Sequence, residues 1–327
     1  MHILIIGAAG MVGRKLTQAL VKAGEVGGKP IERLTFADIV AAATPACAGA
    51  VASIAIDLSA PSAAATLVAG RPDLIFHLAA IVSGEAEADF DKGYRINLDG
   101  TRYLLEAVRQ EGLKSPYTPR LVFTSSIAVF GAPFPDAIGD EFFSTPLTSY
   151  GTQKAIGELL LNDYSRKGFV DGVGIRLPTI VVRPGKPNLA ASGFFSNILR
   201  EPLVGQEAVL PVGRDVRHWF ASPRAAVGFL LRAATMDSAA LGWRRTLSAP
   251  GLSATVGEEI EALRRAAGDK AVKLIREEPN DTIGRIVAGW PRNFDAKRAR
   301  GLGFVAERSM DDIVRAHIED ELGGRVG

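Results

Sequence analysis

Residues 1–16 read MHILIIGAAGMVGRKL. A run of four apolar residues, Ile3 to Ile6, passes directly into Gly7-Ala8-Ala9-Gly10-Met11-Val12-Gly13. The apolar run has the length and flanks of a buried strand, and residues 11–23 place apolar side chains at 12, 16, 19, 20 and 23, the spacing of one helix face. The glycines therefore stand at a strand-to-helix turn. In such a turn the first glycine permits the tight bend, the second lets the backbone approach a pyrophosphate, and the third lets the helix pack close to the sheet. The helix N-terminal amides then face phosphate charge. A bare glycine pattern is weak evidence. Its place between a strand and an amphipathic helix makes it a dinucleotide site, with Gly7, Gly10, Met11, Val12 and Gly13 as its backbone.

The same alternation runs outward from this turn. Apolar runs at His2–Ile6, Arg33–Ala37, Ser53–Ile56, Asp73–Leu78, Arg120–Thr124 and Gly172–Leu177 read as strands, with helical patterns at Met11–Ala23, Lys92–Gln110 and Tyr150–Arg166 between them. Strands apolar on both faces and separated by helices imply an α/β Rossmann fold: a doubly wound parallel sheet covered on both sides. After about Arg183 the alternation gives way to Pro, Gly and single helices. The expected division is a dinucleotide-binding domain over residues 1–182 and a smaller C-terminal substrate lobe over 183–224 and 237–327, with the helix Ala225–Met236 returning to the sheet.

Composition narrows the function. Among 327 residues, 47% are apolar and 23% charged, and the net charge is +2, so there is no bulk field for nucleic acid or anionic membrane. Cys47 is the single cysteine, which excludes an internal disulfide or a cysteine-based zinc site and suits the cytoplasm. No signal peptide is read at the N-terminus. The uncharged stretch Ile39–Ile56 imitates a membrane span, but it is mostly Ala, Gly, Ser and Thr and contains Pro45.

A carboxylate at the end of the second strand should hold the adenosine ribose, and Asp38 closes LTFAD there. An acid at this position repels a 2′-phosphate, which favours NAD over NADP. Asp57-Leu58, after the third strand, would lie near the adenine, or form a helix N-cap region. The chemistry-bearing pattern is SYGTQKAIGELL. Tyr150 and Lys154 are four residues apart on a helix and share a face. A tyrosine is a poor base at its ordinary pKa of about 10, and lowering it by about three units takes roughly 4 kcal/mol. The lysine ammonium and an oxidised nicotinamide would supply this. RLVFTSSIAVFG ends a strand at Ser125 and Ser126, on the carboxyl edge where open α/β sheets bind ligands. A serine there can hydrogen-bond the reacting oxygen while the tyrosine takes its proton.

The combination GAAGMVG, HLAA, NLDGT, TSSIAVFG and SYGTQK resembles the extended short-chain dehydrogenase/reductase superfamily, which includes NAD-dependent epimerases and dehydratases. The resemblance covers nearly the whole chain, including the tail FDAKRARGLGF. It implies an N-terminal domain that binds NAD(P), Tyr150 as acid/base and Lys154 as the partner that holds the nicotinamide ribose. It also implies Ser126 as the catalytic serine, with Ser125 sharing substrate contacts. Asn97, Leu78-Ala79-Ala80 and Pro178 then fall beside the cofactor. Phe130 departs from the tyrosine common in the superfamily.

Longer segments, among them HLAAIVSGEAEADFDKGYRINLDGTR, RLPTIVVRPGKPN and VRHWFASPR, are similar to a group that oxidises the 2-hydroxyl of the four-carbon acid D-erythronate with NAD. A small anionic substrate agrees with the cations Arg183, Lys186, Arg217, His218 and Arg224, since arginine holds a carboxylate bidentately. Arg183 or Arg217 is the expected clamp, Ser83 meets a substrate hydroxyl or caps its loop, and Phe194 walls the pocket. VRHWFASPR also aligns with a segment of sugar-nucleotide enzymes, keeping Arg217 but placing Ala221 and Arg224 where those have His and Asp. The competing expectations are a nucleoside-diphosphate-sugar epimerase or dehydratase and a non-catalytic dinucleotide sensor. Apolar residues on both sides of helices 92–110 and 150–166 lead to the expectation of a homodimer.

Overall fold

The computed structural model describes residues 1–47, 49–185 and 191–327. Its first half is a strand–helix alternation: β1 (His2–Ile6), α1 (Met11–Ala23), β2 (Arg33–Asp38), β3 (Ala50–Ala55), α2 (Ala63–Val68), β4 (Leu74–His77), α3 (Gly100–Lys114), β5 (Arg120–Ser126), α4 (Ser149–Arg166) and β6 (Asp171–Leu177). The second half adds β7 (Thr179–Ile180), α5 (Gly193–Leu203), β8 (Arg217–Ala221), α6 (Pro223–Thr235), β9 (Thr246–Ser248), β10 (Leu252–Thr255), α7 (Val256–Val272) and α8 (Met310–Glu321).

One seven-stranded sheet runs in the order β9-β6-β5-β4-β1-β2-β3, and every pairing in it is parallel. From β1 the chain winds out to β3, then crosses back to β4 on the other side. That reversal opens a crevice at the carboxyl ends of β1 and β4, where α/β sheets bind ligands. One face is sealed by α1 and α6 through Leu16, Leu20, Phe229 and Leu230. The opposite face is sealed by α2, α3 and α4 through Leu67, Leu104, Val108 and Leu161. The sheet is thus buried on both sides, which is why its strands read as unbroken apolar runs.

The edge strand β9 lies within 237–327, the stretch assigned from sequence to the substrate lobe, yet it pairs with β6. At three residues it is too short for a periodicity signal. The second lobe has its own core, in which α5, α7 and α8 enclose Phe195, Leu199, Ile260 and Ile313. A small sheet, β7-β8-β10, joins the two lobes.

Two features differ from the sequence reading in ways that matter below. The single helix expected over 92–110 is interrupted: a π-helical turn, Tyr94–Asp99, precedes α3. Such turns insert a residue into the helical ladder and often occur at functional positions. This one carries Asn97 into the interior at 1% exposure. In addition, Leu104, Leu105, Val108 and Leu161, read as surplus apolar residues of a helix pair, are buried within the chain. Leu159 on α4 and Leu113 on α3 remain exposed.

Candidate active site

The glycine turn is built by close packing. Gly7 has φ +91°, and a Cβ there would stand 2.6 Å from the Ala79 amide nitrogen. A Cβ on Gly13 would stand 2.3 Å from the Gly7 carbonyl oxygen. Side chains at either position would push α1 off the sheet. Gly10 caps α1 without a side-chain hydrogen bond, so the amides of the first turn keep their donors for an incoming anion. Asp38 sits at the tip of β2, where Oδ2 accepts from the Ala9 amide at 2.9 Å and Oδ1 from the Ile39 amide at 2.8 Å. The carboxylate is thereby fixed against the glycine turn. This cradle fits a dinucleotide: phosphates over Gly10–Gly13, a ribose against Asp38.

From the turn a cavity of about 430 Å³ extends along the carboxyl ends of β1, β4, β5 and β6 into the second lobe. Met11 and Val12 line it at one end, with Leu78, Ala80 and Pro178 along its walls. Ala79 packs behind, against Gly7. Asn97 also acts from behind: its side-chain carbonyl accepts from the Ile81 amide at 2.9 Å and its amide donates to Gln153 at 2.7 Å, which fixes the loop after β4. Asp57 and Leu58 lie off the cavity. The Asp57 carboxylate accepts from the Ser59 hydroxyl at 2.6 Å and faces Arg95, and both hold its pKa down, while Leu58 is buried in the core.

Tyr150, Lys154 and Ser126 converge at the middle of the cavity. Thr148 caps α4 by accepting from the Gly151 amide at 3.0 Å. A Cβ on Gly151 would lie 2.1 Å from the Ala128 carbonyl oxygen, so this glycine lets the first turn of α4 touch the turn after β5. That contact brings Tyr150 to Ser126. Burial pushes the Tyr150 phenol up, while the neighbouring Ser126 hydroxyl and the Arg183 guanidinium pull it down. The Lys154 ammonium donates to the Thr124 carbonyl at 2.8 Å and lies 5.8 Å from the Tyr150 ring centroid. Burial lowers its pKa to about 8, with Glu158 opposing. The Arg183 guanidinium thus also acts on the phenol, a part the sequence did not assign to it.

Ser125, expected to share substrate contacts, is buried at 3% exposure, and its hydroxyl donates to Glu158 at 2.5 Å. That hydroxyl is committed inward. Ser126 keeps its hydroxyl at the cavity, accepting from the Ala128 amide at 3.1 Å. Ser83 opens the short helix Ser83–Ala88 at the rim.

Arg183 enters the cavity from the second lobe, with Nε donating to the Ile180 carbonyl at 3.0 Å and Nη2 to Ser192 at 2.7 Å. Burial lowers its pKa, the Tyr150 phenol opposes this, and the Arg200 charge lowers it further. Among the described residues no carboxylate pairs with it. Arg200, also on the cavity, is paired with Glu201 at 2.5 Å.

Two sequence assignments are corrected here. Arg217 is outside the cavity: it donates to the Ser253 carbonyl at 3.0 Å and faces Glu258 at 3.4 Å, because the first residue of β8 emerges at the far end of the small sheet. Phe194 belongs to the second core, packed on Phe195 at 4.1 Å, and Gly193, Ser196 and Asn197 of the same helix line the cavity instead. Arg224 pairs with Glu319 and Asp320 at the surface, and Lys186 lies outside the described residues. Thr179 and Trp290, which the sequence reading passed over, line the cavity beside His218. His218 is bonded to Thr179 at 2.6 Å and stacked on Phe195, and burial lowers its pKa to about 3, so the ring is neutral. No signal marked Trp290, which comes from a loop in the C-terminal segment.

A glycine cradle with an acidic strand end fixed against it, and a Ser–Tyr–Lys cluster on the cavity that the cradle opens, define an NAD-dependent oxidoreductase of the short-chain type. Residues 3–239 match the NAD-dependent epimerase/dehydratase family, and the chain belongs to it. It is 47% identical over 324 residues to a D-erythronate dehydrogenase of Cupriavidus necator, covering 98% of each chain. It is 40% identical to a D-erythronate dehydrogenase of Haemophilus influenzae, covering 98% of this chain and 100% of that one. A crystal structure named as a nucleoside-diphosphate-sugar epimerase from Agrobacterium tumefaciens superposes with a TM-score of 0.98 at 69% identity, covering 100% of this chain and 96% of that one. The protein is an NAD-dependent dehydrogenase, and NAD is its cofactor. No helix among the described residues is long and apolar enough to cross a membrane.

Proposed function

We propose that the protein oxidises the 2-hydroxyl of D-erythronate to 2-dehydro-D-erythronate. Bound NAD supplies the acceptor for the hydride that leaves C2. The chain's own residues do the rest. Tyr150 takes the hydroxyl proton, Ser126 hydrogen-bonds the reacting oxygen, and Arg183 receives the carboxylate. Lys154 is placed for the nicotinamide ribose, and Asn97 steadies the loop behind the cofactor. Ser83 and the neutral His218–Thr179 pair offer uncharged partners to the remaining hydroxyls. Asp38, pinned beside the glycine turn, accepts the adenosine ribose hydroxyls and repels a 2′-phosphate.

The observation that carries this reading is Arg183. A partly buried guanidinium without a carboxylate partner among the described residues costs free energy unless an anion joins it. A small acid bound with its hydroxyl at Tyr150 supplies that anion. The 69% identical structure carries an epimerase name, and a sugar nucleotide is the competing substrate. Against it stands Arg217, the one residue kept from the sugar-nucleotide pattern, which is engaged with Glu258 and the Ser253 carbonyl away from the cavity. We place the enzyme in the cytoplasm, where a single-cysteine chain needs no disulfide. We also assign it a homodimer through α3 and α4, whose shared face leaves Leu159 at 67% exposure. The deciding experiment is net NADH formation on D-erythronate. Epimerisation of a nucleoside-diphosphate sugar with no net NADH, and no turnover of any four- to six-carbon aldonic acid, would overturn the reading.

A further inference from the structure

Glu158 is buried at 4% exposure, and no step above uses it. It lies on α4 one turn beyond Lys154 and two turns beyond Tyr150, on the same face. Its carboxylate is fully engaged. The Ser125 hydroxyl donates to Oε1 at 2.5 Å, Arg176 Nε donates to the same oxygen at 2.9 Å, and Arg176 Nη2 donates to Oε2 at 2.7 Å. Arg176, from β6, also lies over the Phe130 ring at 4.8 Å.

Three consecutive residues at the end of β5 are therefore assigned in turn. The Thr124 carbonyl accepts Lys154, the Ser125 hydroxyl binds Glu158, and Ser126 faces the cavity beside Tyr150. α4 grips the strand with one cation and one anion a turn apart. We propose that Glu158 is a positioning residue for the Tyr150–Lys154 pair: pinned by Ser125 and Arg176, its carboxylate keeps α4 in register with the end of β5 and sets a negative charge one helical turn from Lys154 on the same face.

This rests on the reading that Tyr150 and Lys154 carry the chemistry. His77 from β4 faces Lys154, the Phe123 ring lies 4.9 Å from Nζ, and Tyr150 occupies the preceding turn, while Arg176 from β6 is paired with Glu158. His77 is neutral, held at about 3 by burial and by Lys154. Glu158 is the anion that opposes loss of the Lys154 proton, which burial favours.

A purely structural brace would tie α4, β5 and β6 together without regard to charge. Glu158→Gln separates the two roles, because the amide keeps the shape and can still bond Ser125 and Arg176. The titration of Lys154 is followed by NMR on 13Cε-lysine-labelled apoenzyme, assigned with Lys154→Met. In Glu158→Gln the midpoint should fall from about 8 by about one unit or more, as for loss of a neighbouring opposite charge. The alkaline limb of kcat/KM for NAD should move to lower pH by a similar amount, and Glu158→Asp should restore part of both shifts. Arg176→Gln frees the carboxylate and should move the Lys154 midpoint upward, which carries the test if Glu158→Gln does not fold. An unchanged midpoint in the folded variants would overturn the proposal, as would lowered thermal stability with an unshifted pH profile. Absence of turnover on D-erythronate would overturn the substrate assignment and leave the titration arm readable.

Discussion

Arg183→Ala tests the substrate assignment at its most exposed point. The side chain is held by the Ile180 carbonyl and Ser192, so it is oriented before any ligand arrives and little ordering is needed on binding. A charge-assisted hydrogen bond to an ionised partner contributes about 1.5–3 kcal/mol. Its loss should raise KM for D-erythronate roughly 10- to 150-fold. The assay is initial-rate NADH formation at saturating NAD. A neutral tetritol, which lacks the carboxylate, should be turned over with nearly the same KM by both enzymes. NAD affinity should hold, since Arg183 stands in the second lobe, away from the Gly7–Gly13 cradle.

The same substitution has a second consequence with a fixed sign. Arg183 lowers the pKa of the Tyr150 phenol, against the burial that raises it. Removing the guanidinium leaves burial less opposed, so the phenol should lose its proton only at higher pH. The acid limb of kcat should therefore shift upward in Arg183→Ala, and activity lost at neutral pH should return in part at alkaline pH. Arg217→Ala is the control. Its side chain faces Glu258 and the Ser253 carbonyl, so KM and the pH profile should stay at wild-type values. If Arg183→Ala leaves the acid KM unchanged, or Arg217→Ala raises it as much, the reasoning is wrong.

Tyr150→Phe should reduce kcat by about a hundredfold or more and leave NAD binding by fluorescence titration near normal; retention of about a tenth of wild-type turnover would remove Tyr150 as the base. Cofactor choice should follow Asp38: kcat/KM should favour NAD over NADP by at least about tenfold, or 1.4 kcal/mol, and Asp38→Ser should narrow the ratio. Equal use of both cofactors by the wild type would exclude the carboxylate as the ribose ligand. Light scattering at micromolar concentration should give twice the chain mass, and Leu159→Glu should reduce it to one. A wild-type monomer would remove the α3–α4 interface.

The large sheet was readable because burial on both faces leaves a dense apolar signal. His2–Ile6 and Met11–Ala23 emerge in the structure with the bounds that the sequence suggests. What failed to register depends on contacts far apart in the chain. β9 has three residues and exists only because β6 offers it an edge. The π turn at Tyr94–Asp99 has no composition of its own, yet it decides that Asn97 points inward. Ser125 and Ser126 are equivalent as letters. Strand alternation sends neighbouring side chains to opposite faces, and only the arrival of Glu158 from α4 shows which hydroxyl is committed to the interior.

The arginines follow the same logic with the opposite result. A guanidinium has one chemistry wherever it occurs, so Arg183 and Arg217 carried equal weight as letters. The difference lies in what surrounds each. Arg217 starts a strand at an exposed corner and meets Glu258, one turn into the helix that follows the neighbouring strand; the pair is satisfied in water. Arg183 follows β7 into the seam between the lobes, where Ser192 and the Ile180 carbonyl direct it but do not neutralise it. A charge taken out of water and left without a counter-charge among the described residues costs free energy that an incoming anion would offset. The seam is also where Tyr150 needs a nearby cation. One side chain can thus bind the acid and bias the base, and substrate binding would couple the two. When the carboxylate neutralises Arg183, the phenol loses part of the cation's help, so its pKa should stand higher in the substrate complex than in the free enzyme. The pH profile of kcat, which reports the complex, should therefore lie alkaline of the profile of kcat/KM for D-erythronate, which reports the free enzyme. Coincident acid limbs would show that the carboxylate does not sit on Arg183.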